Sequence, residues 1–247
     1  MNAVIVGRLI YSAAAASGLL VAAWMLRRRQ IGLGLAAETR LKIGLAGLAG
    51  ATLMAKAPFV FGWVDNPAPN WVAAWWGDGK TVLWGLVGGY IGVVLAKGAL
   101  GVQTRTGDSF VVPVAIAIAV GRIGCLAAGC CGGREFGNPW VFDALAGVSM
   151  TIQSHPVPIY EMVFHVGFAV VAMTAGGEEV ARWLRNRWMP AYVCGYAVFR
   201  FWTEYLRREP VWWGGLTFYQ CSALVIALAF FAVLLLPQNN PVRPGSL

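Results

Sequence analysis

Charge is what this sequence has least of. Of its 247 residues only 12% are Asp, Glu, Lys or Arg, about half the share of a soluble domain. No polar stretch is long enough to add a soluble domain to the apolar ones. With 58% hydrophobic residues and a mean hydropathy of +0.64, the chain is a series of apolar runs of about 17–25 residues, the length that crosses a bilayer. The expected fold class is an all-α integral membrane protein of about seven transmembrane helices, one polytopic domain over 1–247.

Other scarcities narrow the chemistry. There are two histidines, His155 and His165, and five cysteines. Cys194 and Cys221 lie in apolar runs, where a thiol is a small packed hydrophobe. Cys125, Cys130 and Cys131 lack the paired C-x-x-C spacing of a zinc site and have no histidine nearby. A disulfide or plain packing is expected there, with no metal and no cofactor. No internal repeat is visible, which disfavours a transporter built from inverted halves. The net charge of +8 is scattered over short loops instead of gathered on one face, so nucleic acid is not an expected partner.

Those scattered charges set the topology. The spans are expected near 4–26, 43–61, 81–95, 110–120, 158–175, 189–205 and 216–236. The run 9–26 has its basic cluster, Arg27 to Arg29, after the apolar stretch and not before it, which fits a retained helix better than a cleaved signal. Arg27, Arg28, Arg29, Arg40, Lys42, Lys97, Arg105, Arg182, Arg185, Arg187 and Arg243 then fall on one side, which the positive-inside rule makes cytoplasmic. The N-terminus is expected outside and the C-terminus inside. Outer segments are expected near 62–80, 121–157 and 206–215; the first holds Asp65, Asn66 and four tryptophans, an interfacial composition. The glycines of the third span read as close helix packing.

This topology strands Arg122, Arg134, Arg200, Arg207 and Arg208 on or near the outer side. An arginine in hydrocarbon costs at least ~2.5 kcal/mol, so several together imply partners or a wet cavity. Each could simply pair with Glu135, Glu161, Glu204 or Glu209. The alternative is an anionic headgroup, because guanidinium grips phosphate bidentately and stays charged. In the sixth span Tyr196, Arg200, Glu204 and Arg208 recur every four residues on one face. Before the fifth, SHPVPIYE uses two prolines to hold extended backbone into the first turn, then places Tyr160 and Glu161 in the span with His165 a turn below. A lone histidine is more often scaffold than catalyst.

Four stretches, GRIGCLAAGCCGG, HPVPIYE, FRFWTEYLRREP and LTFYQCSAL, together resemble the prolipoprotein diacylglyceryl transferase family, with helix number and order matching over most of the chain. The resemblance implies transfer of a diacylglyceryl group from phosphatidylglycerol to the thiol of a lipobox cysteine in a prolipoprotein. The enzyme would sit in the bacterial plasma membrane with its site toward the outer face. It implies Arg122, Arg200, His155 and Glu204 as catalytic residues. Arg122, Arg200, Arg207, Tyr160, Glu161 and Gln220 would hold the phospholipid.

Two departures stand out. Members usually carry Asn where this chain has Cys125 and an E-x-W-G pattern where it has CCGG. Many also carry a histidine in a S-F-H-G-G turn at the start of the third span, where this chain reads KTVLWGLVGG. His155, His165 or Glu161 could serve as base instead, arginines alone could activate the thiol, or the acceptor could differ. A rival class, an anionic-solute transporter, would need polar residues continuing to the cytoplasmic ends of the spans; VVPVAIAIAV and AVVAM are apolar there.

Overall fold

The computed structural model describes residues 3–64, 69–77, 79–144, 148–175 and 183–236, with the side chains of 3–5 and 136–153 excepted. Among these residues the long elements are helices: α1 (Ala3–Gln30), α2 (Ala37–Val60), α4 (Val82–Ala99), α5 (Gly107–Ala128), α6 (Val157–Thr174), α7 (Trp188–Thr203) and α8 (Phe218–Leu235). A short helix α3 (Trp71–Trp76) and two antiparallel hairpins, β1 (Glu135–Ala144) with β2 (Val148–Ser154) and β3 (Val211–Trp213) with β4 (Leu216–Thr217), complete the set. Six of the helices are long and apolar enough to cross a membrane; α7, at 16 residues, is shorter. The chain is a multi-pass, all-α membrane protein. Asp65, Asn66, Arg182 and Arg243 lie outside the described residues.

Apolar side chains cover the outside as well as the core. Leu20 is 72% exposed, Val163 67% and Val225 66%, exposures that aqueous solvent would penalise and lipid tails would not. The core is built from Val111, Val112 and Ala115 of α5, Tyr192, Val193, Tyr196 and Ala197 of α7, and Ala223 and Ile226 of α8. α5 packs against α1, α6 and α7, and α7 lies along α8, so α5 and α7 are the central pair.

Glycine sets the spacing of two outer pairs. A Cβ at Gly92 would strike the carbonyl oxygen of Ala46 and lie 3.0 Å from that carbonyl carbon, so α4 and α2 touch through their backbones. Gly124 does the same for α5, where a Cβ would lie 2.9 Å from Tyr11 Cα of α1. The reading of the third span's glycines as packing residues agrees with the contact at Gly92. Gly92→Val is expected to force α2 and α4 apart at a cost of about 1–3 kcal/mol, seen as a lower unfolding midpoint in detergent; an unchanged midpoint would show that the contact is not tight in solution.

Polar caps fasten the ends of the bundle. Gln30 Nε2 donates to Ser109 Oγ at 3.0 Å, joining the end of α1 to the start of α5. The Asp108 carboxylate accepts the backbone N–H groups of Asn186 (2.6 Å) and Trp188 (3.1 Å), so one residue of α5 caps the entry to α7. At the opposite end Thr217 and Gln220 form a capping box on α8, with Thr217 Oγ1 accepting from Gln220 N at 3.2 Å and Gln220 Oε1 accepting from Thr217 N at 3.0 Å.

One sequence expectation needs correction. The fourth span was expected to stop at Val120; α5 instead continues to Ala128 and turns only at Gly129, whose φ of +63° is left-handed. Hydropathy stops at Arg122 because it counts the charge; the helix continues because that charge has a partner. The segment 121–157, for which the sequence reading named no strand, also contains the β1–β2 hairpin, paired from Glu135 with Ser154 to Ala144 with Val148. Val148, Met150 and Ile152 alternate with Ser149, Thr151 and Gln153, the period of a strand.

Candidate functional site

Four charges converge where α5, α6 and α7 meet. Arg122, two turns before the end of α5, forms an ion pair with Glu161 in the second turn of α6. The other oxygen of Glu161 lies 3.9 Å from Arg200 Nε on α7. Arg200 Nη1 in turn lies 2.5 Å from Glu204 Oε2. The result is an alternating row, Arg122, Glu161, Arg200, Glu204. Glu161 is 0% exposed, Glu204 1% and Arg200 7%. Each of these buried charges therefore has to be matched by its neighbours.

Secondary contacts orient the row. Thr217 Oγ1, the cap of α8, donates to Glu204 Oε1 at 3.3 Å. The guanidinium of Arg200 lies 5.5 Å from the ring centre of Tyr219, a cation–π distance. Arg122 Nε and Gln220 Nε2 are buried donors without a hydrogen bond among the described residues, so the site holds donor capacity that its own chain does not consume.

The remaining predicted residues are spread around this row. Among the described residues Gln220 reaches it through the Thr217 cap. His155 Nδ1 lies 3.4 Å from Tyr160 Oη, and the backbone of His155 exchanges hydrogen bonds with Gly133 (2.9 Å) and Arg134 (3.0 Å). Arg134 N donates to Leu206 O at 2.6 Å and its Nε to Arg207 O at 3.0 Å. Arg207 itself lies 3.9 Å from Glu209, and Arg208 pairs with Glu135 at 2.7 Å across to β1. The connections that follow α5, precede α6 and follow α7 are thus laced together beside the charge row, and Arg134 and Arg208 belong to that lacing.

His165, one of the alternative bases, is fully buried. Its Nδ1 lies 2.7 Å from Tyr192 Oη, and its ring centre lies 4.7 Å from that of Tyr196 with the planes tilted by 40°. It belongs to an aromatic layer with Phe164 and Phe168 beneath the charges. Sequence reading overlooked Thr217 and Tyr219. Their signal was present in LTFYQ, a Thr-x-x-Gln capping box placing a tyrosine next to Gln220.

The cysteines also converge. The Sγ atoms of Cys125, Cys130 and Cys131 all lie within 4.8 Å of one another, and Arg122 Nη1 donates toward Cys125 Sγ (3.7 Å) and Cys131 Sγ (4.0 Å). The Cys131 thiol is held below its ordinary range by the hydrogen bond from Cys125, with Arg122 and Arg207 adding to that against burial; burial first of all raises Cys130. All five cysteines are free thiols.

The family model for prolipoprotein diacylglyceryl transferase matches residues 7–236. A phosphatidylglycerol–prolipoprotein diacylglyceryl transferase 2 of Clostridium perfringens (strain 13 / Type A) is 28% identical over 147 residues, which cover 58% of this chain and 56% of that protein. A phosphatidylglycerol–prolipoprotein diacylglyceryl transferase of Clostridium tetani (strain Massachusetts / E88) is 28% identical over 209 residues, 81% of each chain. The match therefore spans little more than half the length of the first relative and four-fifths of the second. Because the family match runs through every helix that contributes to the charge row, the chain belongs to the prolipoprotein diacylglyceryl transferase family.

Proposed function

We propose that this chain moves a diacylglyceryl group from phosphatidylglycerol to the thiol of a prolipoprotein lipobox cysteine. The observation that carries the reading is the pair of buried guanidiniums, Arg122 and Arg200, sharing one carboxylate, Glu161. Such a pair suits a phosphate that gains charge during reaction. A diester phosphate enters and a monoester phosphate leaves, so cations held in place stabilise the transition state more than the ground state.

In the step, the acceptor sulfur bonds to the terminal glycerol carbon of the diacylglyceryl group as the carbon–oxygen bond to phosphate breaks. The electron pair goes to the departing phosphate oxygen, and glycerol phosphate is released carrying, in the net balance, the proton of the thiol. Arg122 and Arg200 grip the phosphate, Glu204 orients Arg200, and Tyr219 braces its guanidinium from below. Glu161 keeps the two cations apart and neutral as a set until the donor arrives. His155 with Tyr160 bounds the leaving-group side, while Arg207 and Gln220 complete the headgroup contacts.

The membrane setting follows the same reading. α7 is the sixth of seven spans in a single polytopic domain, the N-terminus lies outside, the C-terminus is cytoplasmic, and the charge row opens to the outer face of a bacterial plasma membrane. Nucleic acid is not a partner. The run from Val111 to Ala119 on α5 buries Val111, Val112, Ala115 and Ala119, an apolar plug that favours chemistry from one face over solute passage.

The deciding experiment incubates purified protein with phosphatidylglycerol vesicles and a lipobox peptide, read by mass spectrometry. The expected product is the peptide heavier by one diacylglyceryl unit with glycerol phosphate released. An unmodified peptide under conditions where a relative modifies it would overturn the reading.

A further inference from the structure

The cysteine cluster at the end of α5 has a geometry that the transfer chemistry does not use. Cys125 sits in the last turn of the helix and is buried, whereas Cys130 is exposed and Cys131 is partly covered. The left-handed turn at Gly129 folds the chain back, with Cys130 N donating to Cys125 O at 3.3 Å. That reversal sets Cys130 Sγ 3.5 Å from Cys131 Sγ and keeps all three sulfurs within 4.8 Å of one another. Sequence spacing argued against a metal because it measures separation along the chain; the reversal brings the three thiols together in space.

We propose that Cys125, Cys130 and Cys131 form a three-coordinate thiolate site for a soft monovalent metal ion, the Cu(I) class. Metal–sulfur bonds of about 2.3 Å place three trigonal sulfurs about 4 Å apart, inside the range seen here. Soft thiolates select Cu(I) over hard ions, and the described residues offer no fourth His, Asp or Glu ligand that tetrahedral zinc would want. Three thiolates around a monovalent ion leave a net negative complex. Arg122 Nη1, already aimed at Cys125 and Cys131, supplies an adjacent positive charge. Exposed Cys130 gives the ion its entry path. This site shares Arg122 with the transfer reading but does not rest on it, and it survives the failure of that reading.

The test is an anaerobic titration of the fully reduced protein in detergent with Cu(I) buffered by bicinchoninate. One equivalent is expected to bind with an ultraviolet thiolate-to-copper charge-transfer band. Because changes in the second shell alone cost about 10- to 100-fold in metal affinity, Cys131→Ser should lose at least that much. The Cys125→Ser/Cys130→Ser/Cys131→Ser variant should bind none. Should those variants fail to fold, N-ethylmaleimide footprinting of the unaltered protein decides. Cu(I) is expected to shield Cys125, Cys130 and Cys131 while leaving Cys194 and Cys221 as reactive as before. Binding no tighter than the buffer, binding undiminished in the triple variant, shielding centred on Cys194 or Cys221, or tighter retention of Zn(II) than of Cu(I) would each overturn the assignment.

Discussion

Arg122→Ala is expected to lower the rate of diacylglyceryl transfer by at least about a hundredfold, since removing a single preorganised donor costs about 10²–10³ in kcat and this change removes a charge as well. The effect should fall on kcat and on kcat/KM together, because the guanidinium is used most as the leaving phosphate gains charge. Arg122→Lys separates charge from shape. It keeps the cation but not the planar fork that meets two phosphate oxygens at once, so it should recover only part of the loss. Arg122→Ala also leaves Glu161, among the described residues, with Arg200 alone as ion-pair partner, at 3.9 Å, and a lower rate could then reflect poor folding. Arg122→Ala combined with Glu161→Gln removes both charges of the pair. That double variant is expected to regain the unfolding midpoint without regaining transfer. A well-folded Arg122→Ala protein that transfers within about threefold of the parent, a difference below 1 kcal/mol, would remove Arg122 from the proposed machinery.

How much of this was legible beforehand divides along a physical line. Spans that face lipid are written in one dimension, as runs of apolar residues, so the helices and their order could be read directly. The stripe from Tyr196 to Glu204 was equally local, since four-residue spacing on a helix puts side chains on one face. α5 was misjudged because the quantity that lets it continue, the partnership of Arg122 with Glu161 some forty positions on, is not local. The same holds for the cysteines. Cys125 and Cys131 approach only because Gly129 reverses the chain, and no spacing rule contains that turn. The β1–β2 hairpin had a period-two signal that the surrounding apolar runs outweighed. Tyr219 illustrates a third limit: a tyrosine beside Gln220 is visible in sequence, but that its ring lies under Arg200 depends on how α7 and α8 pack.

Glu161→Gln should reveal what the charge row costs to maintain. Glu161 is the only carboxylate shared by both buried guanidiniums in the described residues, and it is itself fully buried. Breaking a buried ion pair from one side costs about 3–5 kcal/mol, because the abandoned charge stays behind. For a chain of this length each 1 kcal/mol moves the midpoint by about 2–4 °C, so a fall of about 6–20 °C in detergent is expected. Arg122 and Arg200 would then confront each other without their common counterion. An anion that enters between them supplies what the glutamine cannot, so the variant should be stabilised more by phosphatidylglycerol than the parent is, with the difference growing as the lipid concentration rises. An uncharged detergent should give neither protein that gain. If the row is only structural packing, the lipid raises both midpoints equally. If it is a phosphate site held shut by its own carboxylate, the loss caused by Glu161→Gln and its recovery by anionic lipid appear together, and the variant binds the donor more tightly while turning it over more slowly. That combination distinguishes a carboxylate that holds the cations ready from one that only neutralises them.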